Sequence, residues 1–283
     1  MKGLSCNSGL LSQFPIEQAI DILAEHDYQA IDISLEKAPP FLPPPPPHMS
    51  PQSGAEERSR VRKHAERAGL AIAALNAHTN LIHAVPEVRQ SNLKFVEEAL
   101  ELASDLGARY VVFGGGRKEF YGRESQYWEW LVAALWHLIA HASRLGVILA
   151  VEAGSSPGSL LHNLSRMQHL LSHDGLENLG VLFDSGHYFV RGDSVIGAYG
   201  ALSQRVVHVH AKDAKGNLED YEFPPLGQGD VDFDGLLGAM AAAGYDGYIS
   251  IEYEAFAWGY ESDPHKVLSE SKSFLDRTLA MNP

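Results

Sequence analysis

The chain has a single cysteine, Cys6, in 283 residues. No internal disulfide can form, and a reducing compartment is expected. Positive charge is also scarce: 22 Lys and Arg against 36 Asp and Glu leave a net charge of −14. Binding phosphates needs clustered cations, so a nucleic-acid or anionic-membrane surface is disfavoured. No apolar run reaches the ~18 residues of a membrane span, and the N-terminus lacks the basic stretch, apolar core and small-residue cleavage site of a leader. A cytoplasmic protein is expected. What remains, 45% hydrophobic and 20% charged residues, suffices for a sizeable core.

Short apolar runs alternate with amphipathic stretches along the chain. Strands are predicted at Gly3–Cys6, Ala30–Ser34, Leu70–Leu75, Tyr110–Phe113, Val147–Val151, from Gly180, from Val206 and at Gly247–Ile251. Helical spacing falls at Ile16–His26, Glu56–Ala68, Asn92–Leu106, Trp128–Leu145, Ser159–Ser172, Val195–Leu202, Phe233–Ala243 and His265–Met281. Gly69, Gly107 and Gly146 follow three of these stretches, as helix-ending glycines do. The interval Pro39–Pro51 holds eight prolines and is predicted to be a stiff polyproline loop. Eight strand-then-helix units in this length predict one α/β domain over residues 1–283, a (β/α)8 TIM barrel, with a doubly wound open sheet as the alternative.

In such barrels the active site lies at the C-terminal strand ends. Four successive strands end there in metal-capable side chains: Glu152 after ILAV, Asp184 after GVLF, His210 in VVHVH and Glu252 after YISI. A lone Asp or Glu at a strand end is usually a helix cap or a solvated loop residue, and a lone strand histidine usually a hydrogen-bonded core group. Here the four recur at equivalent places behind apolar runs that bury them, and three buried carboxylates together call for a cation. The donor set suits one divalent metal ion, Mn²⁺ foremost, with Mg²⁺, Co²⁺, Fe²⁺ or Zn²⁺ as alternatives. His208 shares a face with His210, because residues i and i+2 of a strand point the same way.

The segments ILAVE, LFDSGH, VVHVHAKDAKG and PPLGQGDVDFDGLLGAMAAAGYDGYISIEYE resemble the xylose-isomerase-like barrel family of sugar isomerases, epimerases and related lyases. The resemblance covers almost the whole chain. It implies metal ligands at Glu152, Asp184, His210 and Glu252 and a substrate-contacting histidine at His187, with His208, Lys212 and Asp213 bordering the pocket. The chain departs from the pattern at Gly154, where many relatives carry histidine. It also departs at Gly158 and Gly216, where ketose 3-epimerases often carry glutamate and arginine.

The resemblance and the ligand set together imply a metal-dependent isomerase or epimerase acting on a keto-sugar or related polyol ketone. A cation gripping a carbonyl and a neighbouring hydroxyl would stabilise an enediolate, with Glu152 and Glu252 as acid and base. Departure of a β-leaving group from the same enediolate would make the protein a lyase, the runner-up. Abasic-site endonucleases share the fold and the Asp-x-x-His and His-x-x-Asp patterns, but they use three metals and a basic groove, which the charge disfavours. A non-catalytic sugar-binding barrel is disfavoured by the intact ligand quartet. The expected partner is a small-molecule sugar, and a homo-oligomer is compatible with everything above.

Weaker candidates complete the reading. His78 follows the third strand and either faces the site or caps a loop. Trp258 and Phe256 offer either an apolar wall for a sugar face or helix packing. Gly114-Gly115-Gly116-Arg117-Lys118 reads better as a turn with solvated charges than as an anion cradle.

Overall fold

Each strand-to-helix unit is delimited by local chemistry in a computed structural model that describes residues 1–35, 47–119, 122–156 and 158–281. Helix α3 (Pro86–Leu106) starts with proline in its first turn, where the missing N–H costs nothing. It ends at Gly107, whose φ of 76° is the left-handed conformation that glycine tolerates best. Helix α4 (Glu124–Leu145) ends the same way at Gly146. Both helices begin earlier than their apolar spacing predicts, because their first turns are polar and partly exposed. Helix α5 (Leu164–Leu171) is shorter than predicted. Asn163 caps it by accepting the Arg166 N–H at 3.0 Å, and Ser159 instead forms a bridge with Arg117.

The remaining helices are α1 (Ile16–Glu25), α2 (Ala55–Ala68), α6 (Ser185–Val190), α7 (Val195–Leu202), α8 (Phe233–Ala242) and α9 (Pro264–Met281). The strands are β1 (Gly3–Asn7), β2 (Ala30–Ser34), β3 (Ala71–Asn76), β4 (Tyr110–Gly114), β5 (Ile148–Glu152), β6 (Gly180–Asp184), β7 (Val206–Ala211) and β10 (Tyr248–Ile251). These eight pair in parallel and close into a barrel in the order β1-β10-β7-β6-β5-β4-β3-β2. The pairing of β1 with both β10 and β2 removes the open-sheet alternative. An antiparallel hairpin, β8 (Lys215–Asn217) and β9 (Asp220–Glu222), is inserted after β7. Most of the polyproline interval lies outside the described residues; within its described end, Met49 is buried and His48 Nδ1 sits 2.8 Å from Ser8 Oγ. No described helix is long and apolar enough to cross a membrane.

The main core fills the space between strands and helices, and a smaller one fills the barrel itself. Ala74, Tyr110, Val112, Ala150 and Leu182 make up this inner core. Because side chains alternate along a strand, the residues two positions on also face inward. Those residues are Asn76, Gly114, Glu152 and Asp184, so an apolar layer gives way to a polar one at the C-terminal rim.

Candidate active site

The polar layer is built by strand register. Asp184 of β6 lies beside His210 of β7, and His210 beside Ser250 of β10. Glu252 follows β10 directly, and its N–H donates to the Ala211 carbonyl at 3.3 Å. One ligand atom each from Glu152, Asp184, His210 and Glu252 lies within 4.8 Å of the others, close enough for one cation to touch all four. His210 Nδ1 stands at the centre, 3.0 Å from Glu252 Oε2 and 3.5 Å from Glu152 Oε1.

Two observations show that these donors fit a divalent cation. All four groups are nearly shut off from solvent. Glu152 Oε1 and Asp184 Oδ2 are buried oxygens that accept no hydrogen bond among the described residues. Their sister oxygens are occupied: Glu152 Oε2 lies 2.7 Å from His78 Nε2, and Asp184 Oδ1 accepts the His187 N–H at 2.8 Å. Asp184 therefore caps α6 with one oxygen and keeps the other for the site, so the capping and ligand readings of an Asp at a strand end both hold.

Lys212 supplies a second positive charge. Its ammonium is 2.9 Å from Glu252 Oε2, 3.0 Å from Glu254 Oε2 and 3.5 Å from Asp184 Oδ2, with the side chain 2% exposed. Burial pushes the Asp184 carboxyl up and Lys212 pulls it only part of the way back, to about 6. Burial also raises the Glu152 carboxyl, but the neighbouring His210 and His78 outweigh it and hold this carboxyl below the usual range. For Glu252, burial is overcome by the charges of Lys212 and His210, and the carboxyl stays ionised.

The other expected site residues fall in different places. His187 stands at the rim, with Nδ1 2.9 Å from Ser155 Oγ and its ring edge-on to Phe223 at 5.5 Å. Trp258 is 39% exposed and packs edge-on against Phe223 at 5.4 Å. The Phe256 side chain lies outside the described residues. Two residues expected to border the pocket use their polar atoms elsewhere. His208 is fully buried one layer below, stacked on Tyr110 and bonded to Asp32, because a strand residue two positions before His210 must sit deeper in the barrel. Asp213 spends both oxygens on backbone N–H groups of Ala214, Gly227, Gly229 and Val231, which folds the loop after β9 back onto β7. In the Gly114–Lys118 run, the Arg117 and Lys118 N–H groups go to Asn80 Oδ1 and the Gly158 carbonyl, so these two donors are already taken up within the chain.

A model of the xylose isomerase-like TIM barrel matches residues 20–278. The chain belongs to this family. Among its curated relatives are the rhizopine catabolism protein MocC of Rhizobium meliloti and an inosose dehydratase of Lacticaseibacillus casei. MocC is 30% identical over 181 residues, 55% of each chain. The dehydratase is 24% identical over 167 residues, 54% of this chain and 55% of its own. The chain thus spans about half the length of these two relatives in the alignments. Solved structures share the fold at lower identity. A D-tagatose 3-epimerase-like protein superposes with a TM-score of 0.82 at 21% identity, covering 99% of this chain and 97% of the other. The IOLI protein, solved with a zinc atom, does so with a TM-score of 0.80 at 18% identity and 99% coverage of both.

Within this xylose isomerase-like barrel, several site residues escape the motif reading. Asn7 Nδ2 donates to Glu252 Oε1 at 2.8 Å, and Glu254 pairs with Lys212. Asp32 contacts both strand histidines from below. A usable signal was available for Asp32. In a strand covered on its outer side by helices, a polar residue alternating with isoleucine, as in Ala-Ile-Asp-Ile-Ser, must face the barrel interior.

Proposed function

We propose that the protein is a divalent-metal-dependent isomerase or epimerase of a keto-sugar or a related polyol ketone. The observation that carries this reading is the approach of two carboxylates, Glu152 and Glu252, to the same His210 nitrogen from different strands. Glu152, Asp184, His210 and Glu252 would hold the cation, Mn²⁺ in our reading, with zinc the alternative suggested by the IOLI structure. When bound, it would supply Lewis-acid stabilisation of the negative charge that builds up as a carbon beside a ketone loses its proton.

The remaining work falls to side chains of the chain itself. One of Glu152 and Glu252 removes that proton and the other returns one, to the opposite face for epimerisation or to the neighbouring carbon for isomerisation. His78 holds Glu152 in place, and Asn7 and Lys212 hold Glu252. His187 and Trp258 stand at the rim, where they can orient the hydroxyl groups and an apolar face of the substrate. The expectation that the substrate is a ketone flanked by hydroxyls is supported by the relatives, which include an inosose dehydratase, an inosose isomerase and a fructoselysine 3-epimerase.

A lyase is the second reading, and Lys212 favours it. A buried ammonium 2.9 Å from Glu252 can stabilise an oxygen leaving from the carbon next to the one deprotonated. Mn²⁺-loaded protein incubated in D₂O with ketoses, inososes and 3-keto-glycosides separates the readings by product mass and NMR. Solvent deuterium in a product of unchanged skeleton is expected. Release of water or an aglycone would establish the lyase, and no turnover by metal-bound protein would overturn both.

A further inference from the structure

Beneath the ligand quartet lies a fully buried trio, Asp32 of β2 with His208 and His210 of β7. A single oxygen, Asp32 Oδ2, lies 2.6 Å from His208 Nε2 and 3.2 Å from His210 Nε2. Ser5 Oγ donates to the other oxygen at 2.9 Å and fixes the rotation of the carboxylate. An ionised carboxylate can only accept, so both Nε2 atoms must carry protons. In an imidazole ring the two nitrogens point to opposite sides. Holding His210 by Nε2 from below therefore turns Nδ1 upward, toward Glu152 and Glu252.

We infer that Asp32 is a positioning residue that locks His210 into the ring orientation and Nε2-protonated form in which Nδ1 faces the metal site. The inference rests on the proposed metal reading. Among the described residues, the hydrogen bonds of Asp32 reach the ligand quartet only at His210, and its strand is on the far side of the barrel from β6. Its effect on the site must pass through the imidazole. Partners of this kind, outside the ligands themselves, typically change metal affinity 10- to 100-fold when lost. His208 shares the same oxygen, stacks on Tyr110 at 5.8 Å, and closes the space that Asp32 would otherwise move into. The three atoms are also near enough to hold a cation of their own. The 2.6 Å contact between Asp32 and His208 is a hydrogen-bond distance, which favours a proton there.

Zinc binding tests this directly. Zn²⁺-loaded wild-type protein with ¹⁵N-labelled histidine should show His210 protonated at Nε2 and metal-bound at Nδ1, with one zinc per chain. Asp32→Asn, checked for folding by circular dichroism, should bind one zinc about 10- to 100-fold more weakly in competition with a chelator. Zinc on Nε2, or a folded variant with wild-type affinity, would overturn the inference while leaving the metal site intact. Two zinc ions per wild-type chain with one lost in the variant would overturn it in favour of a second metal site. Wild-type protein that takes up no zinc would overturn the metal reading and this one with it. Should the variant not fold, the wild-type nitrogen assignment decides alone.

Discussion

Replacing Lys212 with methionine should destabilise the metal-stripped protein and leave the metal-loaded protein largely unaffected. The Lys212 ammonium lies within 3.5 Å of Glu252, Glu254 and Asp184, and its side chain is almost completely buried. Methionine preserves the apolar stem but removes the charge that compensates Glu252 and Asp184. Removing one partner of a buried ion pair costs about 3–5 kcal/mol, because the remaining charge stays in a low-dielectric site. For a chain of this size one kcal/mol shifts the melting temperature by about 2–4 °C, so a drop of about 10 °C is expected in EDTA. A divalent cation brings positive charge to the same carboxylates, and excess Mn²⁺ should recover most of the loss. The assay is thermal unfolding by circular dichroism of both proteins, with EDTA and then with Mn²⁺. A variant that melts within about 2 °C of wild type in EDTA would refute the electrostatic account of this site.

Other perturbations have equally definite outcomes. His78→Ala removes a hydrogen bond that holds the Glu152 carboxyl down. The Glu152 pKa should rise, so the acid limb of the pH–rate profile should move to higher pH, with kcat about tenfold lower. Asp213→Asn turns an amide N–H₂ toward backbone N–H groups of the loop at 227–231 and should cost about 2–4 kcal/mol in chemical denaturation. Glu124, paired with Arg166 and Lys118, has its carboxyl lowered to about 2. Its contribution to stability is present above the ordinary carboxyl pKa and is lost as pH falls from about 4.5 toward 2. Because the side chain is half exposed, Glu124→Gln should cost only about 0.5 kcal/mol at neutral pH and nothing at pH 2, read from urea midpoints at both pH values.

The barrel is legible in the sequence because every strand is a short apolar run set between amphipathic helices, and Gly69, Gly107 and Gly146 mark helix ends. The cluster proposed to hold the metal is legible for the same reason: Glu152, Asp184, His210 and Glu252 each sit where an apolar strand meets the rim. Asp32 and Asn7 are less visible because they act on neighbours 176 to 245 positions away, through pairings that only barrel closure creates. His208 and Asp213 look like site residues from their proximity to His210 in the chain. A strand step of two carries His208 down into the core, and the turn after β7 directs Asp213 at the backbone of its own loop. The hairpin of β8 and β9 escapes apolar pattern reading because its strands, Lys-Gly-Asn and Asp-Tyr-Glu, are polar and too short for periodicity. It carries Tyr221, next to Phe223, into the aromatic cluster with Trp258, so the aromatic rim depends on an element with almost no sequence signal.

The central claim is that Glu152 and Glu252 move a proton at a carbon beside a metal-held ketone. The most direct measurement is deuterium uptake from D₂O into recovered substrate, followed by NMR for wild-type protein and Glu152→Gln, both verified to contain metal. The account predicts uptake by the wild type and a rate at least about 10²-fold lower in the variant. Undiminished uptake in metal-loaded Glu152→Gln would contradict it.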